Sequence, residues 1–260
     1  MKPSSLLFLV RYGFLLLIGA SLAAHAAAQE AADPTRGPDG GTTYHVAGIE
    51  VLSVAGKPFF AKDSIQWTRN LEDGSVVTTQ LYAVVARDSQ GRIYRERRDF
   101  VPANSGREPK LREIMVYDPT ARTRTACDLA TRQCTITSYR PLTSFVALPP
   151  GPFADGTRTM AREDLGNNLV DDLNVVGTRE TITISPGVMG NDRPLVTTRE
   201  FWYSPDLQTN VSVTRKDPRE GTQVIHLTDL SRSEPDPAIF ELPAGFSMHD
   251  LRRPTQAAAN

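Results

Sequence analysis

The chain has 260 residues, with 29 basic and 30 acidic side chains and a formal net charge of −1. Proteins that bind phosphate backbones usually carry a strong basic excess or a basic stripe, whereas here charges of both signs are spread along the chain. The composition therefore excludes nucleic acid from the expected partners.

The first 28 residues have the pattern of a secretory signal peptide. Lys2 and Arg11 precede an apolar stretch at 13–20, and an A-x-A pattern closes the segment at 24–26 or two residues later. The stretch is too short to span a bilayer. A membrane anchor is the alternative, but no charged stop-transfer flank follows. We expect a periplasmic or secreted protein with no transmembrane span in the mature chain, whose 27 basic and 30 acidic residues give a net charge of −3.

The pattern after the signal peptide changes from a polar leader to strands. Residues 29–43 combine glycine, proline and polar side chains and are predicted to be disordered. From there, two-residue apolar alternation predicts strands, the first over 46–54. Residues 76–86 are apolar at both parities, as in a strand central in a sheet. Glu72-Asp73-Gly74 and Asp88-Ser89-Gln90-Gly91 predict hairpin turns.

Cys127 and Cys134 are the two cysteines of the chain, and the six residues between them can form a turn. In an exported protein this spacing predicts a disulfide between paired strands, with roughly 2–3 kcal/mol of stabilisation. A redox dithiol or half of a metal site are the alternatives. Since the chain has neither C-x-x-C nor a second Cys/His cluster, the structural disulfide is favoured. The turn at 127–132 repeats the Asp and Arg of 117–122 ten residues on, which predicts an antiparallel meander.

The later half of the chain follows a loop rich in proline and glycine at 149–156 and is again strand-like. Strands are predicted at 160–165, 169–185, 195–203, 209–216 and 222–231, and single helical turns at 237–240 and 247–253. We count about twelve strands and little helix. The sequence thus predicts a mainly β domain over residues 44–250, as a single antiparallel, strongly curved sheet or half-barrel, with a β-sandwich as the alternative. Residues 251–260 are expected to be a flexible tail.

No motif in the chain identifies a reaction, so no residue is assigned a catalytic role, and no metal or cofactor is expected. The three histidines beyond the signal peptide, His45, His226 and His249, are far apart in sequence and lack metal-ligand spacing. The acidic pairs at 163–164 and 171–172 would point to opposite faces of a strand. His226, on a strand face, remains the candidate base of an unrecognised hydrolase.

Two short segments are candidates for contact with a ligand or partner. Arg95 and Arg97 share one strand face in the densest basic stretch, which suits an anionic group; an exposed or edge strand protected by its charges is the alternative. Val188 and Met189 occupy the tip of a glycine-flanked loop. Such a tip covers a pocket or meets a partner, or else folds back onto the sheet.

Several segments resemble known exported proteins. Residues 113–119 (EIMVYDP) and 237–246 (PAIFELPAGF) resemble the strand-turn and the closing segment of the LolA/LolB/RseB-like periplasmic superfamily of lipoprotein carriers and sigma regulators. The segments at 57–59, 71–74, 87–92 and 201–207 resemble a family of exported bacterial proteins with no assigned activity.

The superfamily resemblance implies an antiparallel half-barrel whose concave face accepts acyl chains or an apolar protein segment without catalytic residues. Carriers of this type have helices that plug the cavity, and none of that length is predicted here. We therefore expect an exported, non-enzymatic binding module for a hydrophobic ligand, such as a lipid, or for an envelope protein segment. A structural or adhesive envelope protein and a hydrolase using His226 are the alternatives, and the oligomeric state is open.

Overall fold

The computed structural model describes residues 48–145 and 149–252; the predicted signal peptide (1–28), the leader (29–43) and most of the predicted tail lie outside the described residues. The strands, in chain order, are β1 (Phe59–Asn70), β2 (Val76–Arg87), β3 (Ile93–Arg98), β4 (Val101–Pro102), β5 (Leu111–Asp118), β6 (Thr123–Asp128), β7 (Gln133–Ser138), β8 (Gly151–Pro152), β9 (Arg158–Val170), β10 (Leu173–Ile184), β11 (Leu195–Ser204), β12 (Thr209–Asp217), β13 (Gly221–Ser231) and β14 (Ser247–Asp250). A single 3₁₀ turn spans Pro237–Phe240.

All fourteen strands belong to one sheet, in the order β14-β7-β6-β5-β3-β2-β1-β13-β12-β11-β10-β9-β8, with β4 beside β2. The predicted fold class, a mainly β chain with one curved sheet and little helix, is confirmed. The short strands β4, β8 and β14 raise the number above the twelve expected. One pair, β14 with β7, is parallel rather than antiparallel. Within the described residues, no helix has the length and apolar character needed to cross a bilayer.

Tight turns between neighbouring strands are formed by the residues that the sequence indicated. The two similar turns after β5 and β6 are equivalent in structure: Asp118 and Asp128 each accept two backbone N–H groups with Oδ1, at 2.8–2.9 Å. Arg122 and Arg132 then adopt φ of 54° and 53° to reverse the chain. The predicted meander is therefore confirmed.

The hairpin between β9 and β10 differs from the prediction, which placed strands at 160–165 and 169–185. Its turn consists of Asp171 and Asp172, with φ of 46° and 62°. A two-residue hairpin turn with positive φ at both positions is one that Asp tolerates. The apolar residues on both sides of this turn concealed it, because they read as one continuous strand.

One face of the sheet, here called the first face, carries the main core. It contains the odd-numbered residues of β1 and their cross-strand partners, as when Ile65 lies between Leu81 and Ile225. Residues 48–54, the cover segment, pack against this core through Ile49 and Val51. The prediction of a strand here was wrong, since only one isolated bridge forms, from Val51 to Thr209. Side-chain burial and hydrogen bonds to Asp63 and Arg87, not a backbone ladder, hold the segment.

The opposite face, the second face, carries a smaller cluster beneath the 3₁₀ turn. Phe240 packs with Ala86 and Tyr94, and Asp236 caps the turn by accepting the Ala238 N–H at 2.9 Å. The predicted helical turn at 237–240 is thus confirmed, but the one at 247–253 was wrong. Ser247–Asp250 instead pairs with β7, where its backbone satisfies groups that a sheet edge leaves open.

Cys127 and Cys134 are joined by a disulfide. They lie directly opposite one another on β6 and β7, and both are buried. The bond therefore closes the hairpin whose turn contains Asp128 and Arg132.

Candidate binding cavity

A cavity of about 550 Å³ lies on the first face, at the strands β9 to β12. Its floor follows from strand periodicity, because alternate residues of a strand share a face. Val176 and Thr178 of β10 lie opposite Tyr203 and Phe201 of β11, and Tyr203 lies opposite Asn210 of β12. These five side chains are neighbours only because the three strands pair in this register.

Apolar side chains from two non-strand segments complete the lining. Leu52 comes from the cover segment, and Phe145 from the loop after β7. Together with Val176 and Phe201 they form an apolar wall. Small-molecule sites typically enclose about 300–1,000 Å³ and combine such a wall with a few placed polar groups. The cavity has the size and composition of a ligand site.

The charged residues of the lining neutralise one another. Arg162 Nη2 donates to Glu180 Oε1 at 2.7 Å, and Glu180 is buried. The two side chains reach each other from paired positions on β9 and β10. The ion pair leaves this side of the cavity without a net charge, so a charged ligand gains little by approaching it.

Asn210 is the unusual polar residue of the lining. It is 1% exposed, and neither Oδ1 nor Nδ2 has a hydrogen-bond partner in the part of the chain that the structure describes. Leaving a buried donor and acceptor unpaired costs about 1–3 kcal/mol for each group. Sequence reasoning missed this residue, because an Asn in a β-strand pattern gives no sign of its partners.

Arg87 holds the cavity wall in place. It is fully buried, and its guanidinium donates to the carbonyl oxygens of Lys57 (2.9 Å), Leu52 (2.8 Å) and Leu207. It thereby ties the cover segment to the turn between β11 and β12. Burial lowers the pKa of Arg87 to about 10, and burial raises the pKa of nearby Tyr203. An Arg directly after the apolar run at 83–86 is the signal that could have identified it.

The two arginines predicted to contact a ligand differ in their surroundings. The Arg95 side chain lies on the first face near Asp63 and Glu50 and is 16% exposed. Arg97 is 56% exposed and donates to Glu113 at 3.0 Å. Their strand is interior, between β2 and β5, and not an edge. Neither side chain lines the cavity.

The loop tip with Val188 and Met189 lies outside the cavity lining, at the opposite end of the β10–β11 hairpin. The two residues are 43% and 49% exposed, and Met189 Sδ accepts a hydrogen bond from Arg219 Nη1 at 3.1 Å. Asn191 orders the loop by donating to the carbonyls of Ser185 (3.0 Å) and Arg193 (2.6 Å). The tip is thus a partly exposed apolar surface on a loop that hydrogen bonds of Asn191 hold in place.

His226 lies on the second face, between Ser212 and Ser64 in the pairing register. Burial lowers its pKa, and the carboxylate of Asp171 acts in the opposite direction. No hydrogen bond joins His226 to either serine in residues 48–145 and 149–252. Among these residues, no group of three or more His, Cys, Asp or Glu side chains is placed to hold a metal ion.

No family model and no curated protein matches the chain. An uncharacterized conserved protein from Thermus thermophilus is similar over 76% of this chain and 91% of its own, at 11% identity and a TM-score of 0.38. The Pseudomonas aeruginosa MucA/MucB complex is similar over 74% of this chain and 58% of that protein, at 12% identity and a TM-score of 0.35. This chain therefore spans less than two thirds of that protein. The Mycobacterium tuberculosis lipoprotein LppX is similar over 69% of this chain and 90% of its own, at 12% identity and a TM-score of 0.26. All three similarities are weak.

Proposed function

We propose that the protein is an exported, non-enzymatic binding module whose cavity receives the apolar part of a ligand. The observation that supports this most directly is the apolar wall of Leu52, Phe145, Val176 and Phe201 around about 550 Å³ of space. Burying apolar surface there is favourable by about 0.8 kcal/mol for each CH₂ group removed from water. A chain of several methylenes would therefore exceed the cost of association.

The location of the protein is part of the same proposal. The predicted signal peptide directs the chain to the periplasm or the exterior, where lipids and apolar segments of envelope proteins are the available ligands. N-terminal sequencing of the protein purified from its source tests the cleavage at 26 or 28. A mature protein that still begins at Met1 would contradict export by this route.

A contact with an envelope protein would use surfaces outside the cavity. Val188 and Met189 offer a partly exposed apolar tip, and Arg97, paired with Glu113, offers an exposed ion pair on the first face. The Arg95 guanidinium lies near the carboxylates of Asp63 and Glu50. A partner at this position would therefore contact Arg95 together with these two acidic residues.

Two matched variants test the cavity. Val176→Trp introduces a large side chain into the cavity, whereas Val196→Trp adds the same group at an exposed position of β11 outside the lining. Native mass spectrometry of protein purified from its own envelope should show a bound ligand for the parent and for Val196→Trp but not for Val176→Trp. A parent that carries neither lipid nor a protein segment would contradict the proposal and favour a structural role.

A further inference from the structure

Asn210 combines three properties that together indicate the chemistry of a ligand. It belongs to the cavity lining, it is 1% exposed, and both polar atoms of its side chain are without a hydrogen-bond partner among the described residues. Solvent does not reach these atoms, so bulk water does not replace the missing partners. The unmet groups are one donor and one acceptor on the same planar amide.

A primary carboxamide satisfies both at once. Its N–H can donate to Oδ1 while its carbonyl accepts from Nδ2, so the two amides form a pair of parallel hydrogen bonds. A carboxylate or an ester accepts but does not donate, and it would leave Oδ1 unpaired. A quaternary ammonium group offers neither function.

The charges around the cavity support the same choice. Arg162 and Glu180 are already paired at 2.7 Å, so neither a free cation nor a free anion awaits an ionised head group there. Gln208 and Tyr203, two further uncharged polar residues, also belong to the lining. A charged group would lose its hydration without gaining a counter-ion.

We propose that the cavity selects an acyl chain that carries an uncharged carboxamide, and that Asn210 recognises this group. The proposal rests on the function proposed above, in which the apolar wall holds the chain. Because the polar atoms of Asn210 are shielded from solvent, the proposal includes the displacement of a neighbouring side chain when the ligand binds. Binding then removes a cost that the free protein carries.

The test compares four probes with the same chain length: decanamide, methyl decanoate, decanoate and decyltrimethylammonium. Each competes with the neutral fluorescent probe N-phenyl-1-naphthylamine for the purified mature protein. We expect decanamide to bind at least about 10-fold more tightly than the other three, the difference that one or two additional hydrogen bonds provide. A capped apolar hexapeptide is included as a fifth competitor.

Asn210→Leu should reduce the preference for decanamide to less than about 2-fold, while the fluorescent probe still binds. The same variant should have a higher Tm than the parent, because the unpaired amide is gone. Asn174→Leu, at an exposed position of β10, serves as the control and should change neither. Asn210→Ser provides the binding comparison if leucine prevents folding.

The outcomes separate the two proposals. If neither the four acyl probes, the hexapeptide nor the fluorescent probe binds, the binding function itself is wrong. If all four bind equally well, or if Asn210→Leu keeps the preference for decanamide, only the role of Asn210 is wrong. If the hexapeptide alone competes, the occupant is an extended peptide and the acyl amide is excluded.

Discussion

Arg95 on β3 reaches across β2 to Asp63 on β1, with 3.7 Å between Nη2 and Oδ2. Asp63 Oδ2 also accepts the backbone N–H of Ile49 at 2.8 Å, which anchors the start of the cover segment to the sheet. Burial raises the pKa of Asp63 to about 6, while Arg95 and the Ile49 N–H act in the opposite direction. One buried carboxyl group therefore anchors the cover segment to the sheet, and its raised pKa makes its charge depend on the pH of the surroundings.

The stability of the protein should depend on the ionisation of Asp63. Because its folded pKa of about 6 lies above the ordinary value of 3.8, the unfolded chain releases this proton first as the pH rises. The contribution is complete below about pH 4 and is lost as the pH passes through 6. Relative to the parent, Asp63→Asn should therefore gain about 2 kcal/mol of unfolding free energy between pH 4 and pH 7.

Urea unfolding of parent and variant at several pH values measures this difference. Asp206→Asn, in the exposed turn after β11, is the control and should show no such trend. A difference between Asp63→Asn and the parent that stays constant from pH 4 to pH 7 would show that Asp63 ionises at its ordinary pKa.

Gly48 packs against the same contact between Asp63 and Arg95. A Cβ atom there would lie 2.2 Å from Asp63 Oδ2 and 2.6 Å from Arg95 Nη2, and φ is +145°. Gly48→Ala should lower the free energy of unfolding by about 2 kcal/mol or more, since it adds strain and a steric clash.

Gly151→Ala separates these two causes, because Gly151 has a similar φ of +131° but open space around its Cβ position. Thermal unfolding should show a clearly larger loss for Gly48→Ala. Equal losses for both variants would mean that the contact with Asp63 is unimportant.

Arg87 should be essential for the cavity wall. Arg87→Met removes the guanidinium and leaves the carbonyls of Leu52, Lys57 and Leu207 unpaired. We expect a loss of about 3 kcal/mol or more in urea unfolding, together with weaker binding of the fluorescent probe. Arg107→Met, in an exposed loop, should leave both unchanged. Unaltered probe binding in a folded Arg87→Met protein would show that the cavity does not require Arg87.

The disulfide should stabilise the fold without affecting the cavity. Cys127 and Cys134 lie on β6 and β7, whereas the strands of the cavity are β9 to β12. Replacing both cysteines by alanine should cost about 2–3 kcal/mol of unfolding free energy, because the unfolded chain is no longer constrained. Probe affinity measured well below the Tm should stay within about 2-fold. A larger change would indicate that this hairpin and the cavity are coupled.

The sequence predicted the features that depend on local chemistry. The turns at Asp118 and Asp128 were identifiable because each carboxylate accepts hydrogen bonds from the backbone N–H groups two and three residues ahead. The central position of β2 followed from its apolar residues at both parities. The pairing of the two cysteines followed from their spacing and the predicted export.

Features that depend on distant pairing were missed. An apolar pattern at 46–54 looks the same in a paired strand and in a segment that covers a sheet, since both bury apolar side chains. The position of β14 depends on an open edge of β7 more than a hundred residues earlier. Asn210 and Arg87 acquire their roles only through the register of β10 to β12 and the path of the cover segment, which no local pattern contains.

The contacts of Arg87 also have a kinetic consequence. Its hydrogen bonds span 35 residues to Leu52 and 120 residues to Leu207, so the three pieces of chain must be assembled before the guanidinium can be enclosed. Contacts of such large sequence separation form slowly, because long loops must close first. The cavity should therefore form late in folding, after the local hairpins, when these last non-local contacts are made.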